Sequence, residues 1–273
     1  MAPADYSWPQ DLPEGAVATR AAELTYPATD LNVDTGLFAA VQDVLGGQVQ
    51  SQLGGQFRMT GPPDASGSVQ GESMLFRMTT SDQTVSVSAW PTSLVIECSE
   101  YERYAQFRDL VVAAVDAYAR FMTPTAISRF GLRYIDEMHV DEPIASVSDW
   151  KSYVNEALLA PSGLVRQRVL NLALGFTVDF AEHRTVNVRC TTTPSRALAS
   201  EGHLRLRERP DTPAFVFDID AVYQPPQPLR AAVTGEFVAG LADQLRPGVR
   251  DVFDTVFTPR ALQTFRTGAE EKA

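Results

Sequence analysis

An eight-residue phrase occurs twice in this chain: Thr123-Pro124-Thr125-Ala126-Ile127-Ser128-Arg129-Phe130 and, 135 residues later, Thr258-Pro259-Arg260-Ala261-Leu262-Gln263-Thr264-Phe265. Thr, Pro, Ala and Phe recur in register, Leu stands for Ile, and each copy directly follows an apolar run of helical spacing. Such a match, in the same context and about half a chain apart, points to one fold unit used twice. Thr suits a helix cap and Pro the first helical position, so each phrase is expected to open a turn after a long helix.

Periodicity supplies the units. Ala22 to Tyr26 alternates like a short strand, and Asp34 is placed to cap a helix carrying Leu37, Phe38, Val41, Val44 and Leu45. Strands are expected near Gln50 to Thr60, Met74 to Thr80, Thr84 to Trp90 and Ser93 to Ser99. Tyr104 to Met122 then reads as a long amphipathic helix with Phe107, Leu110, Val111, Ala114, Val115, Tyr118 and Phe121 on its apolar face, the core contacts being expected of Phe107, Leu110, Val111, Val115 and Tyr118. The second half gives a strand Arg129 to Val140, a helix Ser148 to Leu159, and strands near Val169 to Phe180, Thr185 to Thr193, His203 to Arg209 and Ala214 to Tyr223. A helix from about Leu229 to Val256 closes it, with Phe237, Leu241, Leu245, Val252 and Phe253 as its core face and a bend expected at Pro247-Gly248.

The expected class is therefore α+β, with two pseudo-repeats of β-α-β4-α building a curved antiparallel sheet that carries helices on one face. This element order is similar to the TATA-binding-protein-like and helix-grip architectures; such a likeness bears on the fold and transfers no function. The expected boundaries are a flexible arm at 1–19, a first repeat at 20–128, a second at 129–266 joined with the first in one domain, and a flexible tail at 267–273.

Composition narrows the partners. Across 273 residues, 34 acidic against 23 basic side chains give a formal charge of −11, which opposes nucleic acid and anionic membrane surfaces. An arginine-rich third quarter, from Arg166 to Arg209, reads as exposed strand faces. Cys98 and Cys190 lie far apart without a CxxC pair, as expected of buried free thiols in a reducing cytoplasm. Neither a basic, apolar leader nor a bilayer-length apolar run is present in the sequence.

Catalytic and cofactor signatures are sparse. His139, His183 and His203 read as surface or turn residues, with His183 in a hairpin turn and His203 opening a strand. Gly-x-Ser-x-Gly elbows, phosphate loops and dinucleotide fingerprints are absent from the sequence, so neither a catalytic set nor a cofactor is expected. Asp218 and Asp220, with Glu97 at the equivalent strand end of the first half, offer oxygens to a divalent ion. The Asp-x-Asp pattern on a strand is too common to specify one, and no metal is expected.

The most distinctive string is Arg129-Phe130-Gly131-Leu132-Arg133-Tyr134-Ile135-Asp136. It resembles the signature strand, Arg-x-Gly-Leu-Arg-Tyr-Ile-Asn, of a sporadically distributed and functionally uncharacterised family of bacterial proteins of about this length. Tyr101 before the long helix and the late acidic strand Phe217-Asp218-Ile219-Asp220 fit the same resemblance, which spans residues 20 to 266; Asp136 departs from the usual Asn. The resemblance implies an architecture and no activity. Its patchy distribution implies an accessory or defence-type locus.

On an extended strand Arg129, Gly131 and Arg133 share one face, while Phe130, Leu132 and Tyr134 share the other. The two arginines, about 13 Å apart along the strand at ~3.3 Å per residue, could clamp an anion or pair internally with Asp218 and Asp220. Two function classes follow. The first is a non-enzymatic binding or adaptor protein acting with a protein partner, either itself or the product of a neighbouring gene. The alternative is a small anionic-ligand binder or hydrolytic enzyme that uses the Arg129, Arg133, Asp218 and Asp220 face.

Overall fold

Alternating side chains on two strands at the centre of the molecule organise everything else. The computed structural model describes residues 17–27, 35–46, 49–53, 57–60, 70–100, 103–122, 124–195, 197, 203–206, 208 and 211–263. In chain order the elements are β1 (Val17–Thr25), α1 (Thr35–Leu45), β2 (Val49–Leu53), β3 (Phe57–Thr60), β4 (Gln70–Ser73), β5 (Phe76–Thr80), β6 (Val85–Trp90) and β7 (Ser93–Cys98). Then come α2 (Tyr104–Met122), β8 (Ala126–Ile127), β9 (Arg129–His139), α3 (Glu156–Leu159), β10 (Ala173–Ala181), β11 (Arg184–Thr193), β12 (Ala214–Tyr223), β13 (Leu229–Arg230) and α4 (Gly235–Val256).

The class is α+β. A nine-stranded sheet runs β10-β11-β12-β9-β1-β7-β6-β5-β2, and its recorded pairings are antiparallel. β1 and β9 lie side by side in the middle. The strands of residues 17–98 fan out on one side of that junction, those of residues 129–223 on the other.

Phe130, Leu132 and Tyr134 of β9 are buried, as are Phe107, Val111, Val115 and Tyr118 of α2 and Leu241, Leu245 and Phe253 of α4; Leu110, Phe237 and Val252 pack partly buried at the margin. Phe217 of β12 sits 6.3 Å from the Phe253 ring and 5.2 Å from Phe257, so the helix C-terminus is docked through aromatic contacts. Gly235 opens α4 against α2. A Cβ placed there would come within 2.4 Å of the Val112 carbonyl oxygen, which is why the backbones can approach so closely. Thr234 and Asp116 satisfy the first helical amides, accepting from the Phe237 and Gly235 N–H groups.

Several expectations are corrected. The strand expected over Gln50 to Thr60 divides into β2, in the large sheet, and β3, which pairs with β4 separately. Val17–Thr19 belongs to β1 rather than to an arm, whereas the rest of the expected arm, Asp34, Tyr101 and the expected tail lie outside the described residues. The helix expected over Ser148 to Leu159 is broken into a 3-10 turn at Val147–Ser152, α3, and a second 3-10 turn at Ala160–Gly163. The cause is tertiary: Val154 bridges to Phe257, the Asn155 N–H donates to Val256 O and the Thr258 N–H donates to Tyr153 O, so this backbone is extended where a helix would need it coiled.

His203–Leu206 forms no strand. The Arg205 N–H donates to Gln83 O, and Ser99 Oγ donates to Arg205 O, so this segment is held against the turns of the first half. The helix expected from Leu229 begins at Gly235, because Leu229–Arg230 pairs with β8 as β13. It continues through Pro247 to Val256.

The two copies of the repeated phrase differ. Thr258 caps a helical turn that starts at Pro259, its Oγ1 accepting from the Ala261 N–H. In the first copy Thr123 lies outside the described residues, and Pro124-Thr125 lead instead into β8. A waiting partner strand, β13, diverts that copy from helix to strand. Among the described residues, no helix is long and apolar enough to cross a membrane.

Candidate functional site

The face of β9 opposite the apolar core carries the charged residues singled out from sequence. Gly131 faces Glu23 of β1 and Val222 of β12 across the sheet; Arg133 faces Ala21 and Asp220; Ile135 faces Asp218. Neither arginine bonds the residue directly opposite. Both lean along the strand toward its C-terminal end, as long strand side chains tend to do.

Arg129 lies back over Gly131. A Cβ at that glycine would be 2.9 Å from the guanidinium, so the missing side chain is the seat of the arginine. From this seat Nη1 donates to Glu23 Oε2 at 2.9 Å and Nη2 to Asp220 Oδ2 at 3.0 Å. One cation thus fastens β1, β9 and β12, across the junction of the two sheet halves. Arg133 leans over Ile135 and donates Nε to Asp218 Oδ1 at 2.8 Å and Nη2 to Oδ2 at 2.7 Å, a bidentate pair.

All four sequence candidates therefore meet, with Glu23 as a fifth member. Burial pushes the Asp220 carboxyl above its ordinary range, opposed by the Arg129 and Arg133 charges. The Asp218 hydrogen bonds hold the Arg133 guanidinium above its ordinary value, against the pull of desolvation. The Arg129 side chain is 25% exposed and that of Arg133 45%, so the first pair is the more shielded.

Glu97 does not join Asp218 and Asp220. In the cross-strand row Asp220, Arg133, Ala21, Glu97 it stands three strands from Asp220, about 14 Å at the usual ~4.8 Å spacing. It meets His203 Nε2 instead, at 2.5 Å. Among the described residues no group of three His, Cys, Asp or Glu could hold a metal ion.

The histidines are more engaged than expected. His183 does occupy the β10–β11 turn, at φ +59°. His139, only 10% exposed, contacts Thr212 Oγ1 at 3.1 Å and lies 3.5 Å from the buried Glu137. Cys98 and Cys190 are free and buried, and burial pushes the Cys190 thiol up to about 12, away from nucleophilic reactivity.

Sequence reading missed a second polar group on the β5, β6 and β7 side. Arg77 is 6% exposed and donates Nε to Ser88 Oγ at 2.8 Å, while Thr79 donates to Ser86 in the next same-face pair along the same two strands. Burial lowers the Arg77 pKa, opposed by the charge of Glu97. Its signal was the alternation Val85-Ser86-Val87-Ser88-Ala89, which marks one polar face of β6.

The exposed apolar surface lies elsewhere. Seven large apolar side chains are exposed among the described residues; Leu164, Val165, Leu170 and Phe176 cluster in sequence around the start of β10, against Leu53, Phe121 and Leu229 elsewhere. Beside β10 a groove of about 360 Å³ runs between that strand, α3 and the end of α4, lined chiefly by Leu158, Phe176, Val178, Val252 and Val256. No family model, curated protein or solved structure matches the chain.

Proposed function

We propose that this is a non-enzymatic binding or adaptor protein that acts with a protein partner. The observation that carries the reading is the apolar groove beside β10, with the exposed Phe176 in its wall and the exposed Leu164, Val165 and Leu170 shortly before it in sequence. An apolar groove with an exposed aromatic wall is the kind of surface that partner proteins cover. The small-anion or hydrolytic alternative is weakened because both arginines it requires are already bonded to carboxylates.

Two related halves, of the TATA-binding-protein-like or helix-grip order, are supported by the strand succession on either side of the β1–β9 junction: β7-β6-β5 outward from β1 and β12-β11-β10 outward from β9. Membership of the sporadically distributed bacterial family, in an accessory or defence-type locus, rests on the Arg129–Asp136 string. A cytoplasmic site of action is consistent with two free thiols.

The test is affinity capture of the tagged full chain from native cells after in-cell cross-linking, with mass spectrometry of polypeptides and small molecules. The expected result is one stoichiometric polypeptide whose binding is reproduced with purified components. A co-purifying small anion and no polypeptide would overturn the reading.

A further inference from the structure

β10 stands at the end of the nine-stranded sheet and its recorded pairing is with β11. Among the described residues no strand pairs with its other edge, whose backbone N–H and C=O groups the sheet therefore does not use. Edge strands are usually blunted by Lys, Pro, short length or a bulge that turns them away. Over Ala173–Ala181, nine residues long, β10 holds neither Pro nor a basic residue, and its register shift falls only at the turn end, between Asp179 and Ala181.

Alternation sets what a strand added there would meet. Leu174, Phe176, Val178 and Phe180 point to the helix side, where Phe176 and Val178 form one wall of the groove and Val252 and Leu158 belong to its lining. Phe176 is 38% exposed at the wall, within reach of a strand laid along this edge. An added strand would aim every second side chain at this groove.

Charge selects the occupant. Asp251 is the one charged residue that lines the groove, Asp179 is the one charged residue of β10, and neither forms a recorded ion pair among the described residues. Arg166 and Arg168 precede the strand and do not line the groove. A second copy would bring the net negative charge of another chain of formal charge −11 to this edge. A basic residue entering the groove would complement Asp251.

We infer that the protein partner docks by adding an extended segment to the free edge of β10, with an apolar side chain in the Phe176–Val252 groove and a lysine or arginine at Asp251. This is strand addition, in which backbone bonds give affinity and alternate pockets give specificity. The inference rests on the proposed function and specifies its partner.

The experiment pans a phage-displayed random peptide library against the full chain and measures the selected peptides by fluorescence anisotropy and hydrogen exchange. Expected are sequences in which an apolar residue and a Lys or Arg stand two positions apart, on one strand face, and new amide protection confined to Ala173–Ala181. Affinity should drop roughly tenfold or more in Phe176→Glu, as for a central interface residue. Asp251→Lys, an exposed change that leaves the core intact, should cost roughly fivefold and restore binding of peptides with Glu in place of Lys.

Failure to select any peptide, equal binding by both variants, or protection elsewhere overturns the inference. So does a concentration-dependent dimer of the wild type that Phe176→Glu abolishes, since the occupant would then be a second copy. If the cellular partner is captured equally by Phe176→Glu, strand addition fails while the partner reading stands; if no polypeptide is captured at all, the partner reading itself fails.

Discussion

The two faces of β9 are made from alternate residues of one strand, yet they behave as different materials. Phe130, Leu132 and Tyr134 are sealed under the helices, at 0 to 2% exposure. Arg129 and Arg133, one residue out of phase, sit in a half-exposed layer that neutralises itself through Glu23, Asp220 and Asp218. The apolar face supplies free energy in proportion to buried area, whereas charges screened by solvent mainly hold register. Cohesion and alignment are thus divided between opposite sides of the same backbone.

The largest break in that comparison comes from the apolar side. Phe130→Ala should lose about 3–5 kcal/mol in denaturant unfolding, because it removes a fully buried ring at the junction of the two sheet halves. A loss no larger than that of the charged-face variants would mean the division is misdrawn. Next is Gly235→Ala: the added methyl meets the Val112 backbone, and forced separation of α2 from α4 should cost about 1–3 kcal/mol. Unchanged stability would show that the helices can part freely.

The charged face should respond less, and unevenly. Arg129→Ala removes the cation that bridges Glu23 and Asp220, and its shielded site places the cost between the exposed and buried limits, about 1–2 kcal/mol. Arg133→Ala, at the more exposed pair, should cost at most about 1 kcal/mol and become neutral in high salt. Equal losses from the two would erase the special position of the β1–β9 junction.

The smallest effect is a pH dependence outside both faces. The N–H groups of Ala145 and Ser146, with the Ser146 hydroxyl, hold the Asp149 carboxyl below the ordinary carboxylate range. A depressed folded value contributes stability that is complete above the unfolded value, about 3.9, and is lost as pH falls through the folded value. Asp149→Asn should therefore flatten the acid limb of thermal unfolding below about pH 4. Asp220 has the opposite sign: its raised value makes stability fall as pH rises from the unfolded value through the folded one. Identical acid limbs in wild type and Asp149→Asn would remove the first claim.

Much of this was legible from short-range pattern. The split of β9 into a guanidinium face and an aromatic face follows from a side-chain period of two, and the buried stripes of α2 and α4 follow from helical spacing. The meeting of Arg129 and Arg133 with Asp218 and Asp220 could be anticipated because like charges spaced by two on a strand call for counterions. Glu23 escaped notice because a lone acid in a short strand carries no such signal. The broken helix around Tyr153 and Val154 escaped because a bridge to Phe257, a residue about a hundred positions away, overrode local propensity.

What the amino-acid order determined by itself is whatever depends on neighbours three or four residues away: which residues share a face, where helices are amphipathic, and which segments turn. The tertiary structure alone decided which carboxylate each arginine reaches, that Gly131 is the seat of one guanidinium, and that among the described residues β10 has a strand on one edge only, beside an apolar groove. It also gave one copy of the repeated phrase a helical turn and the other a strand. These outcomes depend on strand register and on partners distant in sequence. Their free energy comes from burial and pairing that exist only once the chain has closed on itself.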